Sequence, residues 1–282
     1  MEDLKNIFLP VHRIIPFSNV EGQGNRTSIF LQGCNINCLY CHNPEMIGFS
    51  NDDTHNMSIE TLIDKIKNNM PFIRGITMSG GEATIHSDKL VILFREVHKL
   101  GITCYIDTNG YFDIDEKKEM VEQTDKFLFD VKGYGPGLKY LCFDRKNHSG
   151  TFTAEYELEN DNMTYDNYEN LVKLVKMKKV EEVRLVYIKN FYDAHTVVDK
   201  IAEIIKDEED ILFKLIRVHI KGARDPKSLA PCMPTKQDVD NLEKYDDISR
   251  LRIGKYRAIF RIVKNELIIF VIDIDSRGDI YK

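Results

Sequence analysis

Between Gly33 and Pro44 the chain reads Gly-Cys-Asn-Ile-Asn-Cys-Leu-Tyr-Cys-His-Asn-Pro, which sets three thiols, Cys34, Cys38 and Cys41, at C-x3-C-x2-C spacing with no fourth cysteine nearby. Thiols packed this closely suit a soft metal or an iron-sulfur cluster. A 4Fe-4S cube is normally held by four thiolates, so three leave one iron to take its ligand from a substrate or cofactor, and that open iron is where chemistry can occur. Structural zinc is the competing use, with His42 or a remote histidine completing a tetrahedron. Zinc loops usually bring a second C-x2-C pair some 12 to 20 residues further on, and no second pair exists here.

The rest of the composition bounds what surrounds this loop. A length of 282 residues with 43% apolar content fits one large α/β domain or a domain with an appendage. The N-terminus is acidic before a short apolar patch, and no apolar run approaches 18 residues, which predicts a cytoplasmic protein without a membrane span. Cys104, Cys142 and Cys232 are scattered and form no disulfide framework, in keeping with a reducing compartment. A net charge of -6 argues against nucleic-acid binding by the whole chain.

The elements that must carry the loop follow from periodicity. Short β-type apolar runs at Ser28 to Gln32, Ile73 to Met78, Thr103 to Asp107, Phe127 to Val131, Val183 to Ile188 and Phe213 to His219 alternate with helical patterns. Helices are predicted over Ile59, Leu62, Ile63 and Ile66, over Leu90, Leu93, Val97 and Leu100, and near 166–178 and 194–206. Alternating βα units predict a parallel sheet, and six of them fit a partial (β/α)6 barrel better than a closed eight-stranded one.

Polar motifs fall at the predicted strand ends, where such a barrel builds its site. Ser79-Gly80-Gly81-Glu82 follows the second strand, and its glycines let backbone groups approach a ligand closely; a plain strand-to-helix turn reads equally well. Asp107-Thr108-Asn109-Gly110 follows the third strand, and the fourth ends in Asp130-Val131-Lys132. The two aspartates can hold a ribose or a cation and Lys132 a carboxylate, with surface turns and salt bridges as the alternatives. Arg184 and His219 belong to the last two strands, although a lone histidine is more often structural.

Together these residues resemble a family. Arg13-Ile14-Ile15-Pro16-Phe17-Ser18, Phe30-Leu31-Gln32-Gly33-Cys34, Cys41-His42-Asn43-Pro44, Pro71-Phe72-Ile73, Gly75 to Thr84 and Asp107 to Tyr111 are similar, in order, to glycyl-radical enzyme activases of the radical S-adenosylmethionine (SAM) type. The nearest likeness is to the YjjW type, related to the pyruvate formate-lyase activating enzyme, over roughly residues 11 to 245. The resemblance implies that Cys34, Cys38 and Cys41 ligate three irons of one 4Fe-4S cluster and that Tyr40, His42 and Asn43 lie against SAM. Gly80 and Gly81, with Ser79 or Glu82, would hold its methionine amino group; Asp107, Thr108 and Asp130, with the Leu128 carbonyl, match a monovalent-cation site. Val131, Lys132 and His219 match SAM contacts, and Arg184 matches one less well. The implied reaction is reductive cleavage of SAM followed by removal of a Cα hydrogen from one glycine of a partner enzyme.

Two departures qualify the likeness. Many activases carry a ferredoxin-like insert after the cluster loop, whereas Ile47 to Asn56 bridges that gap without a cysteine. One cluster per chain is therefore expected, with flavodoxin or ferredoxin as external electron donor. From about Asp246 the chain instead resembles the second half of RelE/ParE-type toxins, which divides it into a radical SAM core, 1–245, and an incomplete toxin-like β segment, 246–282. Three β-runs, Ser249 to Ile253, Tyr256 to Val263 and Leu267 to Ile274, predict a small antiparallel appendage, with Gln237 to Tyr245 as a shared helix. Arg257, Arg277 and Tyr281 match toxin positions for mRNA cleavage, but the missing first half argues against carrying that activity over. An activase of anaerobic ribonucleotide reductase is the alternative within the class, and a toxin-derived RNA-binding protein the alternative outside it.

Overall fold

The computed structural model describes residues 3–143, 166–242, 248–253, 256–263 and 266–273. All six expected strands form: β2 (Arg26–Leu31), β4 (Gly75–Gly80), β5 (Thr103–Thr108), β6 (Lys126–Val131), β7 (Val180–Tyr187) and β8 (Leu212–Arg217). β2, β4, β5 and β6 pair in parallel, as do β7 and β8. Two strands absent from the expectation, β1 (Phe8–Ser18) and β3 (His55–Ser58), extend the β2 edge antiparallel, giving the order β3-β1-β2-β4-β5-β6-β7-β8. Among the described residues the result is a mostly parallel eight-stranded α/β sheet with edges at β3 and β8, so its strand order does not close into a barrel.

The expected helices appear as α1 (Ile59–Asn69), α2 (Ser87–His98), α4 (Tyr168–Lys176) and α5 (Ala194–Ile205). Short α3 (Lys118–Gln123), α6 (Pro226–Leu229) and α7 (Lys236–Leu242) add to them, α7 covering the described part of the helix expected near 237–245. α1 starts where Ser58 accepts the Thr61 N–H at 3.2 Å, a cap of about 1 kcal/mol, and buries Ile59, Leu62, Ile63 and Ile66. Asp193 caps α5 in the same way through Thr196 N. Among the described residues no helix is long and apolar enough to cross a membrane.

The described chain divides into two compact units. One comprises Met1–Asn37, Asn43–Asp130 and Glu169–Glu181; the other comprises Cys38–His42, Val131–Tyr168 and Glu182–Lys282. In the first, parallel register places Ile29, Met78, Ile106 and Phe127 on one face of the sheet. α2 lies on β5 and contributes Leu90, Leu93, Phe94 and Val97 to the same core. The opposite face carries Ser28, Thr77 and Tyr105, then Ser79 and Asp107, so a polar column runs up the inner surface toward the strand ends. Buried Arg26 closes the lower end of that column: its guanidinium donates to Thr77 Oγ1 at 2.9 Å and Ile76 O at 2.7 Å and lies 3.5 Å from the Tyr105 ring centre.

In the second unit β9 (Ile248–Ile253), β10 (Tyr256–Val263) and β11 (Glu266–Asp273) form an antiparallel sheet, the appendage expected from the three β-runs. Arg257 falls on β10 opposite Arg252 and Asp273. Arg277 and Tyr281 lie outside the described residues.

Candidate functional site

In the first unit the stem of the cysteine loop is clamped by backbone bonds. Gly33 N donates to Met46 O at 2.9 Å and Cys34 N to Ile47 O at 3.1 Å, while Gly81 N donates to Leu31 O at 2.9 Å and Glu82 N to Gly33 O at 2.8 Å. The Gln32 carboxamide adds bonds to the Glu45 and Gly48 carbonyls. This close approach explains both strand-end glycines. A Cβ on Gly81 would fall 2.0 Å from Gly33 O, and one on Gly80, whose φ is +112°, would fall 2.3 Å from Leu31 N and O. The glycines are thus required by chain-on-chain packing, whatever ligand their N–H groups also meet.

Glu82 is the hub of this region. It is 1% exposed, and its Oε1 accepts Thr84 N at 3.1 Å, Thr84 Oγ1 at 2.6 Å and Thr108 Oγ1 at 2.7 Å, while Oε2 accepts Asn109 N at 2.7 Å. Burial raises its carboxyl above the ordinary range, and the four donors oppose that shift. The carboxylate therefore ties the end of β4 to the end of β5, a role that sequence left merged with direct ligand binding. Thr108 passes the tie on by accepting Gly110 N at 3.0 Å. Ser79 Oγ donates to Asp107 Oδ2 at 3.0 Å, and Asp107 pairs in register with Leu128, which puts Leu128 and Asp130 on the same face of β6 as one another. Asn43, at the end of the cysteine loop, lies 3.5 Å from an Arg13 guanidinium nitrogen.

Sequence reasoning passed over Asn109 and Asn35. Asn109 Nδ2 lies 2.8 Å from Asn35 Oδ1 and 3.8 Å from Cys34 Sγ, and Asn35 Nδ2 donates to Tyr111 O at 2.6 Å. The available signal was the Asn in Asp107-Thr108-Asn109-Gly110, a residue type that turns favour in its own right.

The second unit holds the other loop thiols. Cys41 N donates to Cys38 O at 3.3 Å, which turns the chain between them, and Leu39 N donates to Leu141 O at 2.9 Å. Asp225 N and Arg224 N donate to Leu39 O and Cys41 O, so the segment after β8 fastens the same turn. Cys38 hydrogen-bonds to Cys142, and that contact together with burial pushes its thiol well up. His42 and His219 come together, Nε2 to Nδ1 at 3.2 Å, although His219 lies two residues beyond the end of β8 rather than on it. Burial, followed by the neighbouring His219, lowers the His42 imidazole. The Lys132 ammonium stands 5.8 Å from the Tyr40 ring centre. Arg184 donates to Glu182 Oε1 at 2.6 Å, and Lys214 meets the other oxygen of that carboxylate at 2.6 Å. Its guanidinium is thus part of an ion-pair group on β7 and β8.

The donor set fits an iron-sulfur cluster. None of Cys34, Cys38 and Cys41 is in a disulfide, Cys34 and Cys38 are buried, and an amide N–H faces Cys34 sulfur, the kind of contact that supports a thiolate ligand. Among the described residues the compact group of metal-type ligands is His98, Cys104 and Asp125, which contains none of the loop thiols.

Comparison with known proteins gives the same direction. The 4Fe-4S single cluster domain family matches residues 20–134, which contain all three loop cysteines. The chain is 48% identical over 250 residues to a Haemophilus influenzae protein named as a glycyl-radical enzyme activating enzyme, covering 87% of this chain and 95% of that one. It is 26% identical over 251 residues to the pyruvate formate-lyase-activating enzyme of Clostridium pasteurianum, again covering 87% and 95%. To the enzyme of that name from Streptococcus mutans it is 32% identical over 152 residues, 50% of this chain and 57% of the relative. With nearly the whole of the Haemophilus relative matched and the three-thiol loop inside the cluster-domain match, the chain belongs to the glycyl-radical enzyme activating enzymes of the radical SAM class.

Proposed function

We propose that this protein installs a glycyl radical on a partner glycyl-radical enzyme. The observation that carries the reading is the C-x3-C-x2-C loop, none of whose cysteines is in a disulfide, in a chain 48% identical to a named activating enzyme along nearly its full length. When bound, the cluster and SAM supply one-electron cleavage of a carbon–sulfur bond and a carbon-centred radical able to take hydrogen from a glycine Cα. The chain's residues supply binding, orientation and shielding. Cys34, Cys38 and Cys41 hold three irons, and Tyr40, His42 and Asn43 flank SAM. Ser79, Gly80 and Gly81 receive its amino group, while Glu82 acts through the loops it ties together, its oxygens being taken up by protein donors. Asp107, Thr108 and Asp130 with the Leu128 carbonyl hold a monovalent cation, and Val131, Lys132, Arg184 and His219 complete the contacts.

The same reading supplies flavodoxin or ferredoxin as the electron donor, because a single cluster without an insert must be reduced from outside. The six cysteines among the described residues form no disulfide, which supports a cytoplasmic location. The boundary near residue 245 between a radical SAM core and a toxin-like segment remains part of this proposal, supported by the antiparallel pairing of β9, β10 and β11.

The test is anaerobic. Dithionite-reduced protein with SAM is expected to release methionine and 5'-deoxyadenosine, and its low-temperature EPR signal should change shape when SAM is added. Single Cys34→Ala, Cys38→Ala and Cys41→Ala variants should lose both. Cleavage that persists in these variants, or a reconstituted wild type that binds zinc in place of iron, overturns the reading.

A further inference from the structure

Asn109 holds an orientation that its neighbours determine. Tyr111 O can only accept, so Asn35 must turn its Nδ2 toward it, at 2.6 Å, which leaves Asn35 Oδ1 facing Asn109. Asn109 therefore presents Nδ2 to that oxygen at 2.8 Å, and its own Oδ1 accepts Tyr111 N at 3.0 Å. A flipped carboxamide would set oxygen against oxygen at one end and N–H against N–H at the other. The backbone is fixed as well, since Asn109 N donates to buried Glu82 Oε2 at 2.7 Å. In this arrangement Nδ2 is also directed at Cys34 Sγ, 3.8 Å away, with both residues buried.

We propose that Asn109 is a tuning residue for the cluster, acting through an N–H···S hydrogen bond to the Cys34 thiolate. The inference rests on the reading that Cys34 ligates iron. Hydrogen bonds to ligand sulfur withdraw electron density and favour the more negative, reduced state, so the bond raises the reduction potential. Reduction is the step an external donor must accomplish, and Asn109 makes it easier. Glu82, Asn35 and Tyr111 are the residues that keep the amide aimed.

The experiment is a redox titration of anaerobic, reconstituted protein, one electron being supplied by dithionite with no bond made or broken, followed by EPR. Asn109→Leu keeps the shape and removes the donor. At the potential where wild type is half reduced, the ratio of reduced to oxidised cluster is expected to fall about tenfold, equivalent to ~59 mV for a one-electron couple, with iron content unchanged. Asn35→Leu, which loosens the loop but leaves the Asn109 backbone anchored, should move the ratio less. Should Asn109→Leu fail to fold, wild type labelled with 15N on asparagine carboxamides provides a second measurement, because the reduced cluster must show a 15N coupling. An unchanged ratio in Asn109→Leu at full iron, or no coupling in labelled wild type, overturns this assignment alone. A wild type with no reducible four-iron cluster overturns the activase reading and this assignment with it.

Discussion

Replacement of Glu82 by glutamine changes one atom and exposes how much the site depends on a residue that need not touch a ligand. Glu82 offers two accepting oxygens to four donors; glutamine offers one oxygen and an NH2 group. With the oxygen placed on Thr84 N, Thr84 Oγ1 and Thr108 Oγ1, the NH2 faces Asn109 N, a donor against a donor at a distance that is 2.7 Å in the native protein. In the flipped orientation the Thr84 and Thr108 hydroxyls can turn to accept from the NH2 group, so there too a single backbone N–H, that of Thr84, faces a donor. Either orientation forfeits one bond to a charged group, about 1.5–3 kcal/mol, and strands one buried backbone N–H, about 1–3 kcal/mol. Removal of a buried charge returns about 1 kcal/mol or more, leaving a net loss of roughly 2–4 kcal/mol. At about 2 °C per kcal/mol for a chain of this size, Glu82→Gln should lower the midpoint of anaerobic thermal unfolding, followed by far-ultraviolet circular dichroism, by about 4–8 °C. A midpoint within about 1 °C of wild type would mean that the carboxylate is not the tie between β4 and β5.

Three further outcomes are expected. Gly81→Ala places a Cβ 2.0 Å from Gly33 O, a clash between two backbones, and should destabilise by on the order of 3 kcal/mol with loss of iron; normal iron and stability in this variant would disprove the clamp. Elemental analysis of clean anaerobic protein should find about four irons per chain, and a value near eight would show a second cluster. In the second unit, bonds from Thr235, followed by the Lys189 ammonium, hold the Asp238 carboxyl down to about 2. A depressed folded value means that its stabilisation is present above the unfolded carboxylate range and is lost as pH falls through the folded value. Asp238→Asn should therefore flatten the acid limb of the stability curve between about pH 4 and about pH 2, and superimposable acid titrations of the two proteins would refute the pairing.

The sheet was legible in part because its parallel strands are compact β-type runs, and in Thr103–Thr108 the two faces also differ in kind, Cys104 and Ile106 alternating with Tyr105 and Asp107. β1 was not legible: Pro10 and Pro16 interrupt it and its burial pattern does not alternate cleanly, so only its pairing with β2 and β3 identifies it as a strand. β3, four residues long, has no pattern of its own to read.

Three thiols at fixed spacing and polar residues at the ends of β-type runs are matters of residue type and local order, and so were readable along the chain. Tertiary structure alone decided how those groups are held. Asn109 faces Cys34 across 75 residues of chain and Glu82 reaches Thr108 and Asn109 across 26 and 27, because neighbouring parallel strands are joined by long crossovers and their ends meet in space rather than in sequence. A hydrogen bond depends on where two atoms meet, and no periodicity along a strand records that meeting.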